Sequence, residues 1–73
     1  MTVDEAAKKF INYDDPTYRL TVFVVEYSGN RLYAHTFANM QGGTCNCCGD
    51  VPYAEDGRVI KVFNTVTGEV LYI

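Results

Sequence analysis

The sequence predicts an α+β fold in which one N-terminal helix packs on a small antiparallel four-stranded meander. Three features lead there. Residues 2–13 carry a helix start signal followed by apolar residues at helical spacing. Residues 17–38 and 58–73 each divide into two runs rich in β-branched and aromatic side chains, parted by turn-forming residues. The whole chain is 73 residues long, enough for one core, so residues 1–73 read as a single domain.

In the first segment Thr2 and Glu5 have the spacing of a capping box. Hydroxyl and carboxylate there satisfy backbone donors that the first helical turn leaves free. Asp4 and Glu5 also suit the positive end of the helix dipole. Val3, Ala7, Phe10 and Ile11 then fall on one face, opposite Lys8 and Lys9. Asp14-Asp15-Pro16 closes the segment, because proline removes a backbone donor and forces its predecessor out of helical geometry.

Residues 17–27 alternate, with Leu20, Val22 and Val24 on one face and Arg19, Thr21, Phe23, Val25 and Tyr27 on the other. Ser28-Gly29-Asn30 tolerates positive φ, and residues 31–38 resume the alternation, which makes an antiparallel hairpin. A second hairpin is expected from residues 58–66 and 69–73 about Thr67-Gly68. Between the two lie nineteen residues, 39–57, holding four of the six glycines, Pro52 and all three cysteines. This stretch reads as a long connection, of a length that is usually functional or disordered.

Composition narrows the function. A core of this size leaves roughly 3–5 kcal/mol of net stability and little chain to build a pocket with a supporting shell, so a binding module is expected and an enzyme is not. The net charge is −3, with a pI near 4.8, and the six basic residues are scattered. Domains that bind nucleic acid draw their affinity from clustered Lys and Arg, so direct contact with nucleic acid is not expected. The longest strongly apolar run, residues 22–25, is far too short to cross a bilayer, and no membrane partner is expected. The acidic and basic residues among the first thirteen do not resemble a secretion signal, and an odd number of clustered cysteines does not resemble a disulfide framework. The cytoplasm is the expected compartment.

Two constellations bear on chemistry. Cys45 and Cys48 have the C-x-x-C spacing of a zinc knuckle, but Cys47 is too close to complete the site and His35 is the only other good ligand candidate. Free thiols in a loop are the expected state, with no metal and no cofactor. His35 is the only imidazole, and Glu26 could face it across the first hairpin as an acid–base pair. Ser28 sits in a turn and the thiols lie in the distant loop, so no nucleophile completes a catalytic set, and His35 is expected to be half-exposed.

The ten aromatics, six of them tyrosine, carry the functional expectation. Phe10, Phe23, Phe37 and Phe63 can fill a core, but a sheet covered on one side cannot bury Tyr18, Tyr27, Tyr33, Tyr53 and Tyr72 as well. On the first hairpin, Arg19, Tyr27, Arg31, Tyr33 and His35 share one face and are the candidate partner-binding residues, being rich in the types that dominate interface hot spots. In the competing arrangements this same face looks into the core and Leu20, Val22, Val24, Leu32 and Ala34 look outward, or both faces are partly covered. An RNA-binding sheet fits less well, since the chain has one helix, lacks a glycine-aromatic motif and is acidic. Asp14-Asp15 and Glu55-Asp56 could form an acidic face that imitates DNA.

In size, acidity, tyrosine content and lack of a catalytic set, the chain resembles small bacteriophage proteins that bind and redirect a host enzyme. These include transcription inhibitors and antitermination factors acting on bacterial RNA polymerase. The resemblance implies a protein partner, with RNA polymerase the foremost candidate, and a host-cytoplasmic location. It is one of general character and carries no site residue across. Small anti-CRISPR and other anti-defence proteins share that character, and a zinc-stabilised adaptor is the alternative raised by the cysteines.

Overall fold

Thr2 starts the helix as its spacing with Glu5 dictates. Its hydroxyl accepts the Glu5 backbone N–H at 3.2 Å, and the Glu5 carboxylate accepts the Thr2 N–H at 3.2 Å. In this computed structural model, which describes residues 1–41, 44–45, 51–52 and 57–73, the helix α1 spans Val3–Phe10. It stops earlier than the expected 2–13. Ile11 is already extended, and Asn12 turns the chain by accepting the Asp14 N–H on its side chain at 3.0 Å and the Asp15 N–H on its carbonyl at 3.1 Å. An asparagine side chain competes with helical hydrogen bonding in this way, so the turn begins four residues before Pro16. Val3 and Ala6 are the buried helix residues, whereas Ala7, Phe10 and Ile11 are half-buried, which moves the stripe by one residue from the expected one.

A short 3-10 turn, Tyr18–Leu20, precedes β1, Thr21–Tyr27, and so shortens the expected strand. Asn30, at φ 57°, takes the left-handed conformation that lets β2, Arg31–Thr36, fold back antiparallel. A second 3-10 turn, Phe37–Asn39, follows. The stretch expected as a connection contains three two-residue strands, β3 (Met40–Gln41), β4 (Thr44–Cys45) and β5 (Val51–Pro52), paired antiparallel as a small separate sheet. β6, Arg58–Asn64, and β7, Val70–Tyr72, form the last hairpin, turned by Gly68 at φ 75°.

The main sheet is antiparallel with four strands, and one helix packs on it, so the fold is α+β as the sequence predicts. Its strand order, β2-β1-β6-β7, departs from a simple meander: the second hairpin docks beside β1, not β2. The physical reason lies in the two strands. β1 is nearly all apolar and gains most from a central position, whereas β2 carries Arg31, Tyr33 and His35 and tolerates an edge. Ile60 is an extra residue on β6 where Val24 pairs with Lys61 and Val25 with Val59, a bulge that increases local twist.

The core forms where α1 crosses β1 and β6. Val3 and Ala6 pack on Phe23, Val25 and Tyr27 of β1 and on Val59 and Val62 of β6. The Val59 N–H donates to the Met1 carbonyl at 2.8 Å, tying the chain's first residue to β6. Phe10 leans on Tyr72, ring centroids 5.8 Å apart, and fastens the helix end to β7.

Candidate partner-binding surface

The helix decides which face of the first hairpin is inside. Phe23, Val25 and Tyr27 lie beneath α1, and the register sets His35 opposite Phe23 and Tyr33 opposite Val25 on the same side. The five candidate residues therefore separate. Tyr27 is 4% exposed and His35 fully buried, which removes both side chains from any contact surface and corrects the expectation of a half-exposed histidine. Tyr33 is half-buried, its ring 5.7 Å from that of Tyr27, while Arg19 and Arg31 are exposed. This face is the one turned toward the core, and the opposite face is partly covered as well, with Val22 buried and Val24 half-buried.

Tyr27 and His35 are compatible with burial because they satisfy each other. The Tyr27 hydroxyl lies 2.9 Å from His35 Nε2, and the two rings meet edge to face at 5.9 Å. Glu26, the other half of the acid–base pair weighed from sequence, points to the opposite side of the sheet and forms an ion pair with Arg58 at 2.9 Å. The pair is not assembled.

Burial holds the His35 pKa below its ordinary value of 6.5, because desolvation disfavours the imidazolium. A histidine with a depressed folded-state pKa binds its proton more readily in the unfolded chain. Stability is thus expected to be full above the unfolded value and to fall as pH drops through about 6.5 toward the folded one. Asp15 and Glu5, held below 3.8 and 4.5 by hydrogen bonds from Thr17 and Thr2, act in a separate and lower window. Urea denaturation of the wild type at pH 7.5, 6.0 and 5.0 should therefore show a decline that His35→Gln lacks. Equal declines in both proteins would show that His35 is not the group responsible.

What does reach solvent is an aromatic cluster at the end of the sheet where β1 begins and β2 ends. Tyr13, Tyr18 and Phe37 form a closed triangle of rings, with centroids 5.6 Å apart for Tyr13–Tyr18, 5.6 Å for Tyr13–Phe37 and 5.3 Å for Tyr18–Phe37. Such tilted and edge-on pairs add roughly 0.5–1.5 kcal/mol each beyond their buried area. Phe37 packs against the core, Tyr18 is half-buried, and Tyr13 is 69% exposed. Arg19 lies across the outer side, its guanidinium 5.7 Å from the Tyr18 ring and its Nε–H donating to the Tyr18 hydroxyl at 3.2 Å. Leu20 beside it is 46% exposed.

Local chemistry fixes this cluster. Asp15 accepts the Thr17 N–H at 2.8 Å and the Thr17 hydroxyl at 2.7 Å, and Asn64 Nδ2–H donates to the same Thr17 oxygen at 2.9 Å. The turn that presents Tyr13 and Tyr18 is thereby anchored to β6. Of the sequence candidates only Arg19 belongs to the cluster; Tyr13, Tyr18 and Phe37 were not among them. A usable signal existed for Tyr13, since an aromatic in an Asn-Tyr-Asp-Asp-Pro turn belongs to neither the helix stripe nor a strand face.

Arg31 forms a smaller counterpart at the hairpin end, 6.0 Å from the Tyr33 ring. Of the acidic pairs, Asp15 is engaged with Thr17 and Asp14 is exposed, while Glu55-Asp56 lies outside the described residues, as do Cys47, Cys48 and Tyr53. Among the described residues no helix is long and apolar enough to cross a membrane. No family model, curated protein or solved structure matches the chain.

Proposed function

We propose that this chain is a small non-enzymatic regulator that acts by binding another protein through Tyr13, Tyr18, Phe37 and Arg19. The observation that carries this reading is an exposed Tyr13 held in place by two further rings, with an arginine stacked alongside. Tyrosine and arginine are enriched at interface hot spots, and a ring already fixed by its neighbours loses little conformational entropy on binding. A domain this small has few other means of acting. The general resemblance to phage regulators makes bacterial RNA polymerase the first partner to test.

The test is equilibrium binding of the chain to purified bacterial RNA polymerase, compared with Tyr13→Ala/Arg19→Ala. Both positions are exposed, so the double variant should keep its fold, checked by circular dichroism. The expected weakening is at least about 30-fold, the equivalent of one hot-spot loss near 2 kcal/mol. If the polymerase does not bind the wild type, its role as partner fails. Capture from bacterial lysate by wild type and double variant in parallel then decides the surface: a protein retained equally by both would refute the cluster as the contact.

A further inference from the structure

Residues 12–20 present Tyr13, Tyr18 and Arg19, and no strand of the main sheet runs through them. Two kinds of tie hold this segment in place. One is the contact of the Tyr13 and Tyr18 rings with Phe37. The other is hydrogen bonding, and among the described residues every long-range hydrogen bond of 12–20 ends on Asn64 or Thr65. The Leu20 carbonyl accepts the Thr65 N–H at 3.2 Å and the Thr65 hydroxyl at 2.9 Å, and the Thr17 hydroxyl oxygen accepts Asn64 Nδ2–H at 2.9 Å.

Asn64 is the centre of this joint. Its Oδ1 is occupied by the Val66 and Thr67 amides in the turn of the second hairpin, so its Nδ2 is the end that faces Thr17. The Thr17 hydroxyl has one hydrogen, which it donates to Asp15 Oδ1 at 2.7 Å. The bonds therefore run in one direction, from amide to hydroxyl to carboxylate, an order in which each polarises the next. At 7% exposed, Asn64 lies too deep to meet a partner itself. We infer that Asn64 is a positioning residue for the partner-binding cluster, an inference that rests on the cluster being the contact surface. The closed turn at 65–68 sets the plane of the Asn64 amide, and the amide fixes the Thr17 turn between Tyr13 and Tyr18. Without Nδ2 that turn loses its tie to β6, and rings freed in this way must be ordered again when the partner binds.

Two variants cut the link and spare the second hairpin. Asn64→Asp keeps an oxygen for the Val66 and Thr67 amides but replaces the donor with an acceptor, and Thr17→Val removes the hydroxyl at nearly constant shape. Thr17→Ser restores the hydroxyl, and Val62→Ala lowers stability from the core without touching the link. The first readout needs no partner: the fluorine resonance of a fluorotyrosine at position 13. It should move toward the free amino acid in Asn64→Asp and Thr17→Val, and keep its place in Thr17→Ser and Val62→Ala. The second is affinity for purified bacterial RNA polymerase, expected to fall about tenfold in the first two variants and to hold in the others, since ordering two released side chains costs about that much. A resonance unmoved by both link variants, or moved as far by Val62→Ala, overturns the positioning role, whether or not the polymerase binds. A resonance that moves while polymerase affinity holds leaves Asn64 its role and refutes the cluster as the contact.

Discussion

Phe23→Ala is expected to lower stability by about 3–5 kcal/mol, the usual cost of emptying a fully buried phenylalanine site. That is comparable to the roughly 3–5 kcal/mol a domain of this size has in total, so the variant should be largely unfolded at 25 °C. Phe23 is fully buried, stands between His35 and Val62 across its two neighbouring strands, and meets the helix from the middle of β1. No neighbour can fill the space without pulling α1 or β6 from its place. Far-UV circular dichroism with urea titration measures the effect, and Leu32→Ala, at a 60% exposed position, should change stability by no more than about 0.5 kcal/mol. A loss under about 1 kcal/mol for Phe23→Ala would place the core elsewhere.

Asn64→Ala should cost about 3 kcal/mol. Asn64 is 7% exposed, and its side chain makes three hydrogen bonds. Oδ1 accepts the Val66 N–H at 2.8 Å and the Thr67 N–H at 3.1 Å, and Nδ2–H donates to Thr17 Oγ1 at 2.9 Å. Each contributes about 1 kcal/mol net, more where a buried partner is left unsatisfied. Alanine releases two turn amides and cuts the link between β6 and the Asp15–Thr17 turn. Backbone bonds from Gly68 N–H to Asn64 and from Asn64 N–H to Glu69, both 2.9 Å, remain and should preserve the hairpin itself. Hydrogen exchange should therefore speed most at Val66 and Thr67, while the amides of β1 speed up only in proportion to the lost global stability. Unchanged exchange at those two residues would mean that Gly68 suffices to hold the turn.

These residues show where sequence reading succeeds and where it stops. The capping box was legible because Thr2 and Glu5 are three residues apart and their bonds are local. Both hairpins were legible for the same reason, through Asn30 and Gly68. The pairing of β1 with β6 was not, because Val25 and Val59 meet across more than thirty residues of chain and neither strand's alternation states its partner.

The inward face was equally hidden. Leu20, Val22 and Val24 are as apolar as Phe23, Val25 and Tyr27, and the choice rests on where α1 lands. A histidine and a tyrosine count as surface residues in any composition rule. Here the 2.9 Å bond between them makes burial tolerable, and only the register of the hairpin, with His35 opposite Phe23 and Arg31 opposite Tyr27, brings them to one side of the sheet. Arg19 was found by its type and neighbourhood. Tyr13 was missed because a turn residue has no periodicity to report.

The same inversion shifts the functional expectation from the middle of the hairpin to the end of the sheet, and photo-crosslinking tests that shift most directly. A benzophenone amino acid placed at position 13, and in separate proteins at the exposed positions 9 and 32, would be irradiated with the captured partner. A strong cross-link from position 13, with little from position 9, is the expected result. A partner that cross-links from position 9 and not from position 13 would contradict the aromatic cluster as the contact surface.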